Sequence, residues 1–155
     1  MTQQENVLAE IRTVLRGLPG LNPDEYPSEQ DENPVICLVY PGPGRAALGS
    51  SHGGNGYPNY WTFDTILIDV FVLRSDLLMD YKAVEPYAQG VITALMAAFS
   101  RDRFNGQVVA MGDPGTPGSG VPIRRSPLFP QSGGIDGLGH RFEVDVSYQV
   151  DILHD

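Results

Sequence analysis

Two stretches of alternating residues and two of helical period organise this chain. In residues 62–73, TFDTILIDVFVL, the even positions Ile66, Ile68, Val70 and Val72 form one apolar face. Phe63, Leu67, Phe71 and Leu73 make a second, interrupted by Thr65 and Asp69. That pattern predicts a strand buried on one face and partly covered on the other. Further on, Phe142, Val144, Val146, Tyr148, Val150 and Ile152 alternate without a break against Arg141, Glu143, Asp145, Ser147, Gln149 and Asp151. One face belongs to a core and the other to water, and the length suits an antiparallel partner such as 62–73.

The helical period appears twice. Thr2-Gln3-Gln4-Glu5 is a capping-box pattern, in which the Thr2 hydroxyl and the Glu5 carboxylate satisfy each other's orphan amides. Val7 and Leu8, Ile11, Val14 and Leu15, then Leu18 follow as one apolar stripe, ended by Gly17 and Pro19-Gly20. From Ala83 a second stripe runs through Val84, Tyr87, Val91, Leu95 and Ala98, with Ala88, Ile92 and Phe99 beside it. It predicts a helix over 83–99, with Pro86 in the first turn, where a missing N–H costs nothing.

The remaining segments read more weakly. PVICLVY, residues 34–40, is a short apolar strand; residues 107–111 form another after the Asn105-Gly106 turn. Residues 22–33 are an acidic connector. Residues 41–60 and 112–139 are two long Gly/Pro-rich loops, the second holding an apolar island at 121–129 that is a candidate for a short extra strand. The element order is α-β-β-α-β-β. It predicts one α+β domain over 1–155: a four-stranded mixed or antiparallel sheet with two helices on one face. A helix crossing over from 62–73 to 107–111 makes those two strands parallel and sends the two long loops toward opposite ends of the sheet.

Charge and composition narrow the function. The formal charge is −9, with one lysine, Lys82, and nine scattered arginines, which excludes a basic nucleic-acid footprint. No apolar run approaches the roughly 20 residues of a membrane span, and the N-terminal residues lack the pattern of a signal peptide. The single Cys37, inside an apolar run, excludes an intrachain disulfide and points to a buried thiol in a reducing compartment.

Catalytic patterns are thin. Gly49-Ser50-Ser51-His52-Gly53 matches the nucleophile-elbow pattern, and Asp113 and His140 follow in hydrolase order. That chemistry needs a strand entering Ser51 and a helix leaving it, and glycine-rich flanks stand in their place. His52, His140 and His154 lack metal-ligand spacing, and the glycine runs at 53–56 and 112–120 lack the lysine of a phosphate loop. Asp64 and Asp69 either pair with carboxylates of the last strand as acid/base groups or are simply solvated. No cofactor, metal or catalytic residue is expected.

The order TVLRGLPGL into an apolar strand, ILIDVFVL into VEPYAQGVITALMAAF, and the final RFEVDVSYQVDI resembles the tail terminator (tail completion) proteins of long-tailed bacteriophages. The resemblance covers most of the chain as pattern and length. It implies a structural virion protein rather than an enzyme, located in the tail neck and in host cytoplasm during assembly. Such a protein forms a ring, usually a hexamer, on the finished tail tube, stops tube polymerisation and offers the surface on which the head docks. Its partners are then itself, the tail tube protein and a head–tail connector or stopper, with DNA passing through unbound and no membrane involved. Another neck component and a hydrolase using Ser51 remain as alternatives. Apolar residues outside the inferred core, Leu77, Leu78, Met79, Leu128 and Phe129, are candidate subunit contacts. In a ring, the wet face of the last strand would line the lumen, with Glu143, Asp145 and Asp151 repelling phosphates.

Overall fold

The computed structural model describes residues 2–24, 35–49, 56, 58–72, 82–112, 121–128 and 138–152. Helix α1 spans Gln3–Arg16 and starts at the expected capping box: the Thr2 hydroxyl accepts from the Glu5 amide, and the Glu5 carboxylate accepts from the Thr2 amide. Helix α2 spans Tyr87–Asp102, after a short helical turn at 82–84 and with Pro86 at its N-cap. It ends in four successive residues of positive φ, Arg103, Phe104, Asn105 and Gly106. Three of these lack the freedom of glycine, and the fully buried Phe104 ring pins the turn to the core.

Among the described residues five strands form one sheet: β1 (Ile36–Leu48), β2 (Asn59–Val72), β3 (Ala110–Met111), β4 (Ile123–Leu128) and β5 (Leu138–Asp151). Their order is β1-β2-β5-β3, with β4 also on β5, and every ladder is antiparallel. The α+β class therefore holds, with five strands in place of four; the island at 121–129 supplies the extra one. Strands β2 and β5 pair over their whole length, from Asn59 beside Asp151 to Val72 beside Leu138. Because β3 and β2 both run against β5, they are parallel to each other, as the crossover through α2 requires.

Of the residues described between 41 and 60, 41–48 and 59–60 are strand, contrary to the reading of one long loop. Strand β1 continues to Leu48 past a bulge at 41–44, and β2 begins at Asn59. Its prolines mislead because Pro41 turns its missing N–H away from β2 and Pro43 sits in the bulge, so neither removes a ladder bond. At the other edge, β3 and β4 are two parts of one interrupted strand. Gly112 N–H donates to the Asp145 carbonyl and the Asp145 N–H to the Pro122 carbonyl, so the chain leaves and rejoins the sheet at one rung.

Both helices lie on one face of the sheet. Val7, Leu8, Ile11 and Leu15 of α1 and Tyr87, Val91, Leu95 and Ala98 of α2 share a core with Cys37 and Val39, Ile66, Ile68, Val70 and Val72, and Phe142, Val144, Val146 and Tyr148. Only one parity of β2 and β5 enters that cluster, which is the pattern of a sheet with helices on one side. Gly139 is required by packing. A Cβ there would lie 1.9 Å from the Val70 carbonyl oxygen and 2.6 Å from the Phe71 Cα.

Candidate functional site

The opposite parity composes the outer face: Leu38 and Tyr40 from β1; Phe63, Thr65, Leu67 and Asp69 from β2; Arg141, Glu143, Asp145 and Ser147 from β5. It is built from cross-strand pairs that only the register brings together. Asp69 lies directly beside Arg141 and beside Leu38. The Arg141 Nε donates to Asp69 Oδ1 at 2.8 Å and its Nη2 to Oδ2 at 3.1 Å. The Tyr40 hydroxyl donates to the same Oδ2 at 2.6 Å and accepts from Arg141 Nη2 at 3.1 Å. These bonds to Asp69 raise the Arg141 pKa further, and burial, reinforced by the Asp69 bond, raises that of Tyr40.

A second cluster lies toward β4. Arg124 Nη1 donates to Asp145 Oδ2 at 2.6 Å and its Nε to Glu143 Oε2 at 3.1 Å, while the Thr65 hydroxyl donates to Asp145 Oδ1 at 2.8 Å. Hydrogen bonding to Asp145 is the main cause of the raised Arg124 pKa. Between the clusters Leu67 sits beside Tyr40 and Glu143, and beyond them Trp61 and Phe63 stack with ring planes 5° apart. Gly44, Arg45, Phe63, Thr65, Arg124 and Asp145 help line an open cleft of about 300 Å³. This arrangement is a hydrogen-bonded, mixed-charge plane, and among the described residues of the face no nucleophile is hydrogen-bonded to a histidine base.

The expected lumen acids therefore share a face but are not alike. Glu143 and Asp145 share one guanidinium, that of Arg124. Asp151 is exposed at the end of β5, beside Asn59. Of the expected subunit contacts, Leu128 is the half-buried last residue of β4, beside Gly139. Leu77, Leu78, Met79 and Phe129 lie outside the described residues, as do Ser51, His52, Asp113 and His154.

Asp64 and Asp69 correct both readings offered for them, because both are buried and neither meets a carboxylate of β5. Asp64 lies on the helix side, where it accepts from the Tyr148 hydroxyl and, at 3.3 Å, from Gln4 Nε2. Burial and that bond push the Tyr148 phenol pKa upward. His140, from the Ser-Asp-His order, also faces the helices. Its pKa is lowered by burial and by the charge of Arg125, while a hydrogen bond to the Val84 backbone opposes the shift. Among the described residues no group of three or more His, Cys, Asp or Glu is placed to hold a metal ion, and no helix is long and apolar enough to cross a membrane.

Comparison with models of known protein families gives no match, and comparison with characterised proteins gives none either.

Proposed function

We propose that this chain is a tail-terminator subunit, which assembles as a ring on a completed phage tail tube. The observation that carries the reading is the outer face itself. A two-helix layer buries one side of an antiparallel sheet, and the other side is a plane of ion-paired side chains on strands β1, β2, β5 and β4. A plane of fixed charges, most of them neutralised in place, suits a surface past which a polyanion moves without adhering. The net charge of −9 agrees with that role.

The connections also support it. The hairpin joining β1 and β2 leaves the sheet at Leu48 and Asn59, beside the end of β5, whereas the connection from β4 leaves at Leu128, beside the start of β5. The two departures are at opposite ends of the sheet, as a component held between a tube and a head requires.

The test is to add purified protein to polymerising tail tubes. The expected result is arrest of elongation, with a ring at one end of each tube in negative-stain images. A protein that binds assembled heads but leaves tube growth unaffected would instead be a connector or stopper. One that touches neither overturns the reading.

A further inference from the structure

The two outer edges of the sheet differ in how their backbone groups are used. The Gly49 N–H donates to the Asn59 carbonyl, so in the antiparallel alternation Leu48, Ala46 and Gly44 turn their backbone groups outward from β2. Nearer the core, the outward positions are Cys37, Val39 and Pro41. There the edge is plugged: Asp24 N–H donates to the Cys37 carbonyl, Val39 N–H donates to Asp24 Oδ1, and Arg12 Nη2 donates to the Val39 carbonyl. Pro41 has no N–H to offer. The guard stops at the bulge, and from Pro43 to Leu48 every residue is exposed. At the opposite edge, Asp145 N–H donates to the Pro122 carbonyl, which leaves Ile123, Arg125 and Pro127 of β4 facing outward; residues 124–127 are exposed. Among the described residues nothing pairs with either open stretch, and open edges of this kind are templates for pairing, which a protein guards unless they are used.

We propose that these two edges pair between neighbouring copies of the chain, residues 44–48 of one against 123–127 of the next. The inference rests on the ring reading and names the contact that builds the ring. Its direction follows from the fold. Strands β1 and β5 run the same way and β4 runs against β5, so a sheet continued from β4 of one copy into β1 of another is antiparallel at the junction as everywhere else. The register follows from the side chains. Leu48, 64% exposed, falls beside Ile123 on the helix side. Ala46 leaves room beside the long Arg125, and the Gly44 N–H meets the Pro127 carbonyl, where a missing donor is least felt. Arg45 and Arg125 then project from opposite faces, so no like charges are opposed.

The contact is head-to-tail, so it generates a ring only if its rotation closes. Ala46 lies beside Thr62, and Arg125 lies beside Phe142, itself beside Ile68. The edges are thus offset by the six residues from 62 to 68, ~20 Å along the strands, while four strands span ~19 Å across. Strands in such a closed sheet incline by ~45°, close to the 35–45° typical of closed sheets.

The double variant Ala46→Cys/Arg125→Cys tests this, because paired residues ~5.5 Å apart at Cα fall within disulfide reach. Oxidised, alone at high concentration and on tail tubes, it should give a ladder of covalent oligomers on a non-reducing gel, and neither single variant should. Dimers from Ala46→Cys alone would show symmetric pairing of β1 with β1 and overturn the proposal. Rings in the microscope without cross-links would overturn it and leave the ring reading standing. Neither rings nor cross-links would overturn both. A second variant, Ala46→Pro, removes one outward N–H without touching the β1–β2 ladder. It should keep the circular dichroism of the parent and weaken ring association about fivefold, the equivalent of one net hydrogen bond. Unchanged association would count against the pairing.

Discussion

Arg141 holds the Asp69 carboxylate across the β2–β5 ladder with two hydrogen bonds, and Tyr40 closes the group from β1. The Asp69 side chain is 8% exposed and that of Arg141 39%. Replacing Arg141 with methionine strands the carboxylate in a site from which water is largely excluded. The expected loss is about 1–3 kcal/mol, below the full penalty for a buried pair because the guanidinium is itself wetted. Arg141→Lys should recover only part of it, since an ammonium lacks the fork that spans both oxygens. Urea unfolding of the two variants measures both.

Tyr148→Phe should cost about 1–3 kcal/mol by the same logic on the other face. It removes the hydroxyl donor to the buried Asp64 and leaves it the longer bond from Gln4 Nε2, at 3.3 Å. The double variant Tyr148→Phe/Asp64→Asn should be less destabilised than the sum of the single changes, because removing the charge removes most of the penalty. A thermal-melt cycle over the four proteins checks this, and strict additivity would contradict it.

His140 gives stability a dependence on pH near neutrality. Burial and the Arg125 charge lower its folded pKa below the 6.5 of the free side chain. Between those two values the unfolded chain binds a proton that the folded chain does not, so stability rises with pH there. His140's contribution is complete above pH 6.5 and declines as the pH falls through 6.5 toward the folded value. The urea midpoint of His140→Asn should therefore fall less between pH 7.5 and 5.5 than that of the parent protein; parallel curves would refute the assignment.

Cys37 should be inert in the folded protein. It is fully buried, and burial, helped by Asp24 and Asp69, pushes its thiol up to about 12. Thiolate is the reactive form, so a disulfide-exchange reagent at pH 8 should label it only as fast as the core opens, and at once in denaturant. Immediate labelling under native conditions would show that β1 is not packed as described.

What was legible in the sequence is what local chemistry decides. The Thr2–Glu5 cap needs only residues three apart, and the alternation of β5 needs only one strand. The extension of β1 is hidden in the sequence because composition weighs every proline and glycine alike, whereas their effect depends on which way each N–H points. Strand β4, IRRSPL, reads from sequence as no more than a candidate strand inside the island at 121–129, because Ile123 is the one buried side chain in it and no alternation shows. The outer-face clusters were out of reach for a different reason. Asp69–Arg141 and Arg124–Asp145 are 72 and 21 residues apart in sequence and meet only through the register. The acid at position 69, inside an apolar run, is the available signal, but a lone acid in a strand does not say whether its partner is solvent, another acid or an arginine.

The rung at Asp145 separates two things that usually constrain each other. Strand β5 receives one bond from Gly112 and gives one to Pro122, so the ladders above and below it are indifferent to how many residues lie between. By loop-closure entropy alone, each doubling of the length of a connection costs only about 0.6 kcal/mol. This position is therefore a graft point: a peptide epitope, or a whole domain with neighbouring termini, inserted between 113 and 120 would leave the strand register as it is.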